Sequence, residues 1–239
     1  ASKLNTQTTG KSVVVYNPVC KTRQDVVEAE LEFATLPQTL AVFDKNGKEI
    51  PSQIVEKNGN KIKFLFLADM PSAGMKVYDV RESESSTKSS GLTISNNTLE
   101  NAYYLVKVAS NGDITSIFDK KASKELLSQP ARLEFLAEKP NEWPAWNMDW
   151  KDRQKPAFDF LDKNAKLSIV EQGPVRVTLK VEREGRNSVI TQFYSLSAGE
   201  AGKRFEVSNK IDWQSQGVSL KASFPLSVSN EKATYNIGF

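Results

Sequence analysis

From residue 25 to residue 33 the chain alternates. Val27, Ala29, Leu31 and Phe33 fall on one side, and Glu28, Glu30 and Glu32 on the other. A helix would scatter these side chains around its axis, whereas a strand sends successive side chains to opposite faces. The segment therefore reads as a strand with one face buried. The pattern recurs. Val13, Val14 and Val15 form a β-branched run stopped by Asn17 and Pro18. Residues 40–43 lead into Asp44, Lys45, Asn46 and Gly47, and residues 54–56 and 61–67 flank Asn58 and Gly59. Both connections read as hairpin turns, because Asn and Gly tolerate the positive φ that such turns use. Asp44 to Gly47 lacks the acidic residue that would close a calcium loop, which leaves the plain turn. Residues 75–80 complete this first set.

Residues 81–91 are polar and Ser-rich, without an apolar anchor, as in a linker. The expected organisation is a small β-sandwich domain over 12–81, a Ser-rich linker over 82–91, and a large β-sandwich domain over 92–239. Strand patterns fill the last segment: 92–94, 103–108, 114–119, 133–136, 166–171, 175–182, 188–196, 204–213 and 219–224. The one candidate helical turn is at 122–127. Long antiparallel strands with few helical signals imply an all-β fold of two sandwiches. Residues 233–239 end inside a strand pattern, as a segment cut from a longer protein would. The large sandwich is therefore expected to be incomplete at its C-terminal end.

Histidine is absent. Histidine is the usual acid–base side chain near neutral pH and the commonest zinc ligand, so Ser-His-Asp, Cys-His and His-ligated metal sites are excluded together. The single Cys20 cannot form an internal disulfide and reads as a partly buried, inert thiol. The net charge of +3 comes from 32 basic and 29 acidic residues without a basic stripe, which argues against nucleic-acid and membrane partners. No apolar run approaches the roughly 20 residues that span a bilayer. The first seven residues lack the apolar core of a secretory leader. A leader, if the parent carries one, lies upstream and would send it to the periplasm or out of the cell. The compartment itself stays open, and the glycosylation sequon at Asn96, Asn97 and Thr98 does not decide it.

Residues 139–150 depart from the pattern. They hold Trp143, Trp146 and Trp150, three of the four tryptophans, with Pro140, Pro144, Glu142 and Asp149. Two prolines and no alternation make this a loop. Indole faces stack on the apolar faces of pyranoses and carboxylates bind hydroxyls, so Trp143, Trp146 and Asp149 are candidate sugar contacts. Packing at one end of the sandwich and docking against another domain remain open for the same residues. Asp212 and Trp213, at a strand end before Gln214, form a second candidate, with a buried indole in a hairpin as the alternative. Glu142 and Asp149 could in principle form a hydrolytic pair, but nothing in the sequence fixes their separation.

These motifs resemble glycoside hydrolase family 38, the retaining α-mannosidases. Val13 to Pro18 with residues 23–28 is similar to the start of that family's β region. Residues 99–106, with Gly112 to Lys121, resemble the opening of its large sandwich. The Trp143–Asp149 loop and residues 212–225 are similar too. The resemblance covers nearly everything from Val13 to Phe239. It implies a galactose-mutarotase-like supersandwich following the small sandwich. It also implies a parent that hydrolyses α-mannosides with retention, and a catalytic zinc and Asp nucleophile in an N-terminal catalytic domain absent from this chain. No cofactor or catalytic residue is then expected here, and the chain alone would be inactive. Its partners would be that catalytic domain and the α-mannoside substrate. The sandwich would lend Trp143, Trp146, Asp149, Asp212 and Trp213 to the substrate rim. The family often has histidine after this last tryptophan, where the chain has Gln214. An independent carbohydrate-binding module is the competing expectation. A sugar epimerase on a similar sandwich would need histidine. If a catalytic domain is missing, an apolar patch should remain exposed near the tryptophan loop.

Overall fold

The computed structural model describes residues 5–83 and 90–232. The proposed linker lies largely outside these residues, and the strand pattern at 233–239 wholly so. The described chain is an all-β protein of antiparallel sheets, with one short α-helix and one 3-10 turn. Contacts group it into two compact units. Unit 1 comprises 1–104, 168–180 and 193–208; unit 2 comprises 105–167, 181–192 and 209–239.

Unit 1 is built first from β1 (Lys11–Asn17), β2 (Arg23–Glu32), β3 (Thr39–Phe43), β4 (Glu49–Ile50), β5 (Ser52–Asn58), β6 (Lys61–Met70) and β7 (Gly74–Ser83). They form two sheets, ordered β1-β7-β3-β4 and β2-β6-β5. The alternation in β2 is realised: Ala29 and Leu31 turn inward while Glu28, Glu30 and Glu32 are exposed. Both sheets supply one core, with Val42 and Tyr78 from the first and Phe64 and Phe66 from the second. Strand β6 is buried on both faces, because Leu65 and Leu67 join the same core as Val175, Ala198 and Ala201 from later in the chain. Gln53 fastens this later segment: its side-chain oxygen accepts the amides of Val175 at 3.2 Å and Arg176 at 3.0 Å. The turn at residues 44–47 closes as expected. The Asp44 carboxylate accepts the Asn46 and Lys48 amides at 2.9 and 3.0 Å, with Gly47 at φ 76°.

Next along the chain come β8 (Thr93–Ser95), β9 (Thr98–Glu100), β10 (Tyr104–Val108), β11 (Ile114–Asp119) and β12 (Lys124–Glu125), a five-stranded sheet in reverse order. The candidate helical turn at 122–127 is instead a tight turn followed by β12. Asp119 accepts the Ala122 amide at 2.9 Å, and Glu125 accepts those of Ile117 and Leu127 at 2.9 and 3.0 Å, which holds the segment extended. Next come β13 (Arg132–Ala137), α1 (Trp150–Arg153), β14 (Asp159–Phe160), β15 (Lys166–Gln172), β16 (Arg176–Gly185), β17 (Ser188–Ser197), β18 (Phe205–Asp212) and β19 (Val218–Ser223). They give a sheet β14-β13-β19 in unit 2 and a sheet β15-β16-β17-β18.

Cys20 is exposed, which corrects the expectation of a partly buried thiol. The buried place at the end of β1 goes to Asn17, only 1% exposed. Its amide donates to the carbonyls of Lys21 at 2.9 Å and Pro71 at 2.7 Å, so the intervening turn projects outward.

Candidate functional site

Within unit 2, β13 and β19 run antiparallel with Ala137 opposite Val218. The tryptophan loop follows β13, and the Asp212–Trp213 segment precedes β19. Antiparallel pairing therefore brings both candidate segments to one end of the same sheet. The Glu138 amide donates to the Gly217 carbonyl at 3.1 Å and joins their roots.

The loop exposes its aromatic side chains. Trp143 is 60% exposed, Trp146 76% and Trp150 69%, and Phe158 beyond α1 is half exposed. The tryptophans therefore do not plug the sandwich, and the apolar patch expected near this loop is present. Trp143 and Trp146 stack on each other, with centroids 5.5 Å apart and planes 15° apart. The backbone sets up this pair. Trp143 sits at φ 59°, in the left-handed region that bulky residues rarely enter. Its carbonyl accepts the amides of Trp146 at 3.1 Å and Asn147 at 2.9 Å. The segment thus closes on itself. Each indole turns one face to its neighbour and leaves the other outward.

Asp149 stands at the exit of the loop, and its carboxylate is engaged. It accepts the Asn141 amide at 3.1 Å and the Asn147 side-chain amide at 2.9 Å, with the Lys151 ammonium 3.4 Å away. The Asn141 amide, with Lys151 beside it, holds this carboxyl below the usual carboxylate range. Glu142 is exposed, and its carbonyl accepts from Asn147 at 3.1 Å.

Trp213 is exposed, at 37%, and not a buried indole; it stacks on Phe135, with centroids 6.3 Å apart. Asp212 is exposed and accepts the Gln214 side-chain amide at 2.9 Å. Ser188 fixes the turn that follows by accepting the amides of Gln214 at 2.8 Å and Ser215 at 3.0 Å. The two candidate groups thus share a root, while their rings stack separately.

The helical turn α1, which begins at the exposed Trp150, has no counterpart among the sequence expectations. Its signal was Asp149 followed three residues later by Asp152, an N-terminal capping pattern. The capping role itself is not taken, because the Asp149 carboxylate reaches back to Asn141 instead.

An antiparallel β-sandwich with an aromatic loop at one sheet end defines the class by fold: an all-β chain. Residues 99–239 match the family model described as the glycosyl hydrolases family 38 C-terminal domain, and the chain belongs to that family. It is 25% identical over 150 residues to Alpha-mannosidase G of Dictyostelium discoideum, a match covering 59% of this chain and 13% of the relative. It also resembles two solved structures, both at 18% identity and over 92% of this chain. One is an alpha-mannosidase from Enterococcus faecalis V583, at TM-score 0.63 over 32% of that chain. The other is a glycosyl hydrolase family 38 protein from Enterococcus faecalis, at TM-score 0.64 over 33% of that chain. These structural likenesses bear on the fold. The chain thus spans about a third of the solved structures and 13% of the Dictyostelium relative.

Proposed function

We propose that this chain is the β-sandwich portion of a retaining α-mannosidase that hydrolyses α-mannosides. In this reading it supports an N-terminal catalytic domain of the same polypeptide and lends Trp143, Trp146, Asp149, Asp212 and Trp213 to the substrate rim. Membership of family 38 supports the activity of the parent. The observation that carries the rim is the exposed, stacked Trp143–Trp146 pair, whose outward faces suit the apolar faces of pyranoses. Asp149 serves the rim by holding the loop, and Asp212 offers an exposed carboxylate to hydroxyls. Rim contacts accelerate hydrolysis only where they strengthen toward the transition state.

Among the described residues no three His, Cys, Asp or Glu side chains come together to fit a metal. We assign no zinc-dependent step to this chain. The zinc and the nucleophile belong, in this reading, to the catalytic domain, and the chain alone is inactive. We also keep the division at 82–91 as a proposal about order along the chain, whereas the compact units describe proximity in space. Proteolysis at 82–91 should yield two fragments that stay associated, because Gln53 holds the backbone at Val175 and Arg176. Cleavage that falls outside 82–91 would remove that proposal.

An independent carbohydrate-binding module is the second reading, favoured by the exposure of three tryptophans in this chain itself. Calorimetric titration with mannose and short α-mannosides, alongside Trp146→Ala, separates the two. Binding that disappears in the variant supports a self-sufficient site. No binding by the folded chain supports a rim that works only beside the catalytic domain.

A further inference from the structure

Asp152 is only 3% exposed, on a helical turn that otherwise faces solvent. A carboxylate so placed needs partners, and it has two. One oxygen accepts the Lys139 amide at 3.0 Å, and the other accepts the Lys155 ammonium at 2.8 Å. Lys139 stands at the loop entry and Asp152 beyond its exit. The bond therefore closes the loop at its base. Asp149 makes a second closure two residues further in, from Asn141, and Lys151 donates to the Asn141 side chain at 2.9 Å. Pro140 and Pro144 supply no amide hydrogens, so the bonds at the loop's base come from the Lys139 and Asn141 amides on either side of Pro140. Trp143 at φ 59° needs such support, because a bulky residue stays in the left-handed region only where its surroundings hold it there.

We propose that Asp152 is the positioning residue of the tryptophan platform, closing the loop through the Lys139 amide so that the Trp143–Trp146 stack is formed before any ligand arrives. A platform formed in advance does not lose side-chain freedom again on binding. The closure stands on geometry alone. Its benefit to a sugar rests on the reading given above.

Stacked indoles couple their transitions, and the couplet in circular dichroism reports the pair directly. Trp146→Phe identifies the signal by removing it. Asp152→Ala removes the acceptor, and Lys139→Pro removes the donor without touching the carboxylate. Both should lose the couplet while the melting temperature stays near that of the parent chain. A couplet of full strength in either folded variant overturns the proposal. If Asp152→Ala does not fold, Lys139→Pro decides. Unfolding of both also overturns it, since the bond would then hold the fold and not the loop. Mannoside titration of the unaltered chain is read separately. A lost couplet in the variants with no sugar binding by the parent keeps the closure and removes the independent sugar site.

Discussion

Phe66 and Arg183 are both fully buried, one in each unit, and they are held in opposite ways. Phe66 lies between rings: Tyr78 edge-on at 4.9 Å and Phe64 at 6.0 Å. Aliphatic residues from both sheets complete that core. Arg183 lies among oxygens. It donates to the Asp113 carboxylate at 3.2 Å, to the Leu161 carbonyl at 3.0 Å and to the side chain of Gln192. Arg132 reaches the other Asp113 oxygen at 3.3 Å, and Gln192 passes the network on to Asn209 at 2.8 Å. Beside this network a small apolar cluster gathers Leu133, Phe135, Leu161 and Ile190. An apolar core tolerates modest reshaping, whereas a buried ion network must be complete or be replaced as a whole.

Single truncations should not distinguish the two. Phe66→Ala should cost about 3–5 kcal/mol through the cavity it leaves. Arg183→Ala should cost about 3–5 kcal/mol by leaving the buried Asp113 with Arg132 as its one remaining cation and the Leu161 carbonyl and the Gln192 side chain without this donor. Denaturant unfolding followed by probes in each unit measures both. The contrast lies in rescue. Asp113→Leu combined with Arg183→Met should recover part of the loss, because an apolar pair replaces the two most buried charges while Arg132, only partly buried, can turn to solvent. If the double variant is no better than the single one, the network is not an isolated unit.

Turn glycines sharpen the contrast at smaller scale. Gly112 has φ 85°, and a Cβ there would lie 2.5 Å from the Val181 side chain. Gly112→Ala should therefore lose about 1–3 kcal/mol in thermal unfolding. Gly47 has φ 76° but open space around it, so Gly47→Ala should lose only about 1–2 kcal/mol. Equal losses would place the strain in the backbone alone.

Tyr78 is the polar exception in the apolar core, donating to the Asp69 carbonyl at 2.9 Å. Tyr78→Phe should cost about 1 kcal/mol. Burial pushes its phenol well above the ordinary tyrosine range. Because the folded value lies above the unfolded one, its contribution is complete below the unfolded range and is lost as pH climbs toward the raised value. A spectrophotometric titration should leave this tyrosine un-ionised until the chain opens.

The surface aromatics should matter least to stability. Trp146→Ala should stay within about 0.5 kcal/mol of the parent while abolishing the indole couplet. For Asp152, the Lys155 ammonium and then the Lys139 amide hold the carboxyl below the usual range, and Asp149 is lowered as well. Both closures are present above the ordinary carboxylate range and weaken as pH falls through the lowered values. The couplet should therefore persist into mild acid and fade only below that range.

The sequence carried unit 1 more openly than unit 2. The period of two at 25–33 is a direct record of which face of β2 is buried, and the Asn-Gly turns mark their own positions. Arg183 left no such record. It stands among Lys180, Glu182, Glu184 and Arg186, and nothing local says which charge is inside. Its partner Asp113 lies 70 residues away, so only the fold selects it. The candidate site divided in the same way. Prolines and tryptophans announced the loop, but its closure by Asp152 depends on a helical turn too short to leave a periodic trace.

The bond from Gln53 to the amides of Val175 and Arg176 has a consequence for how the chain is made. Its nearer partner is 122 residues downstream. At about 5–20 residues per second, a translating ribosome needs roughly 6–24 s to supply it. Until then the face of β6 that bears Leu65 and Leu67 is without Val175, Ala198 and Ala201. The first strands to leave the ribosome are among those that must wait, with apolar surface uncovered, for a much later stretch of the message.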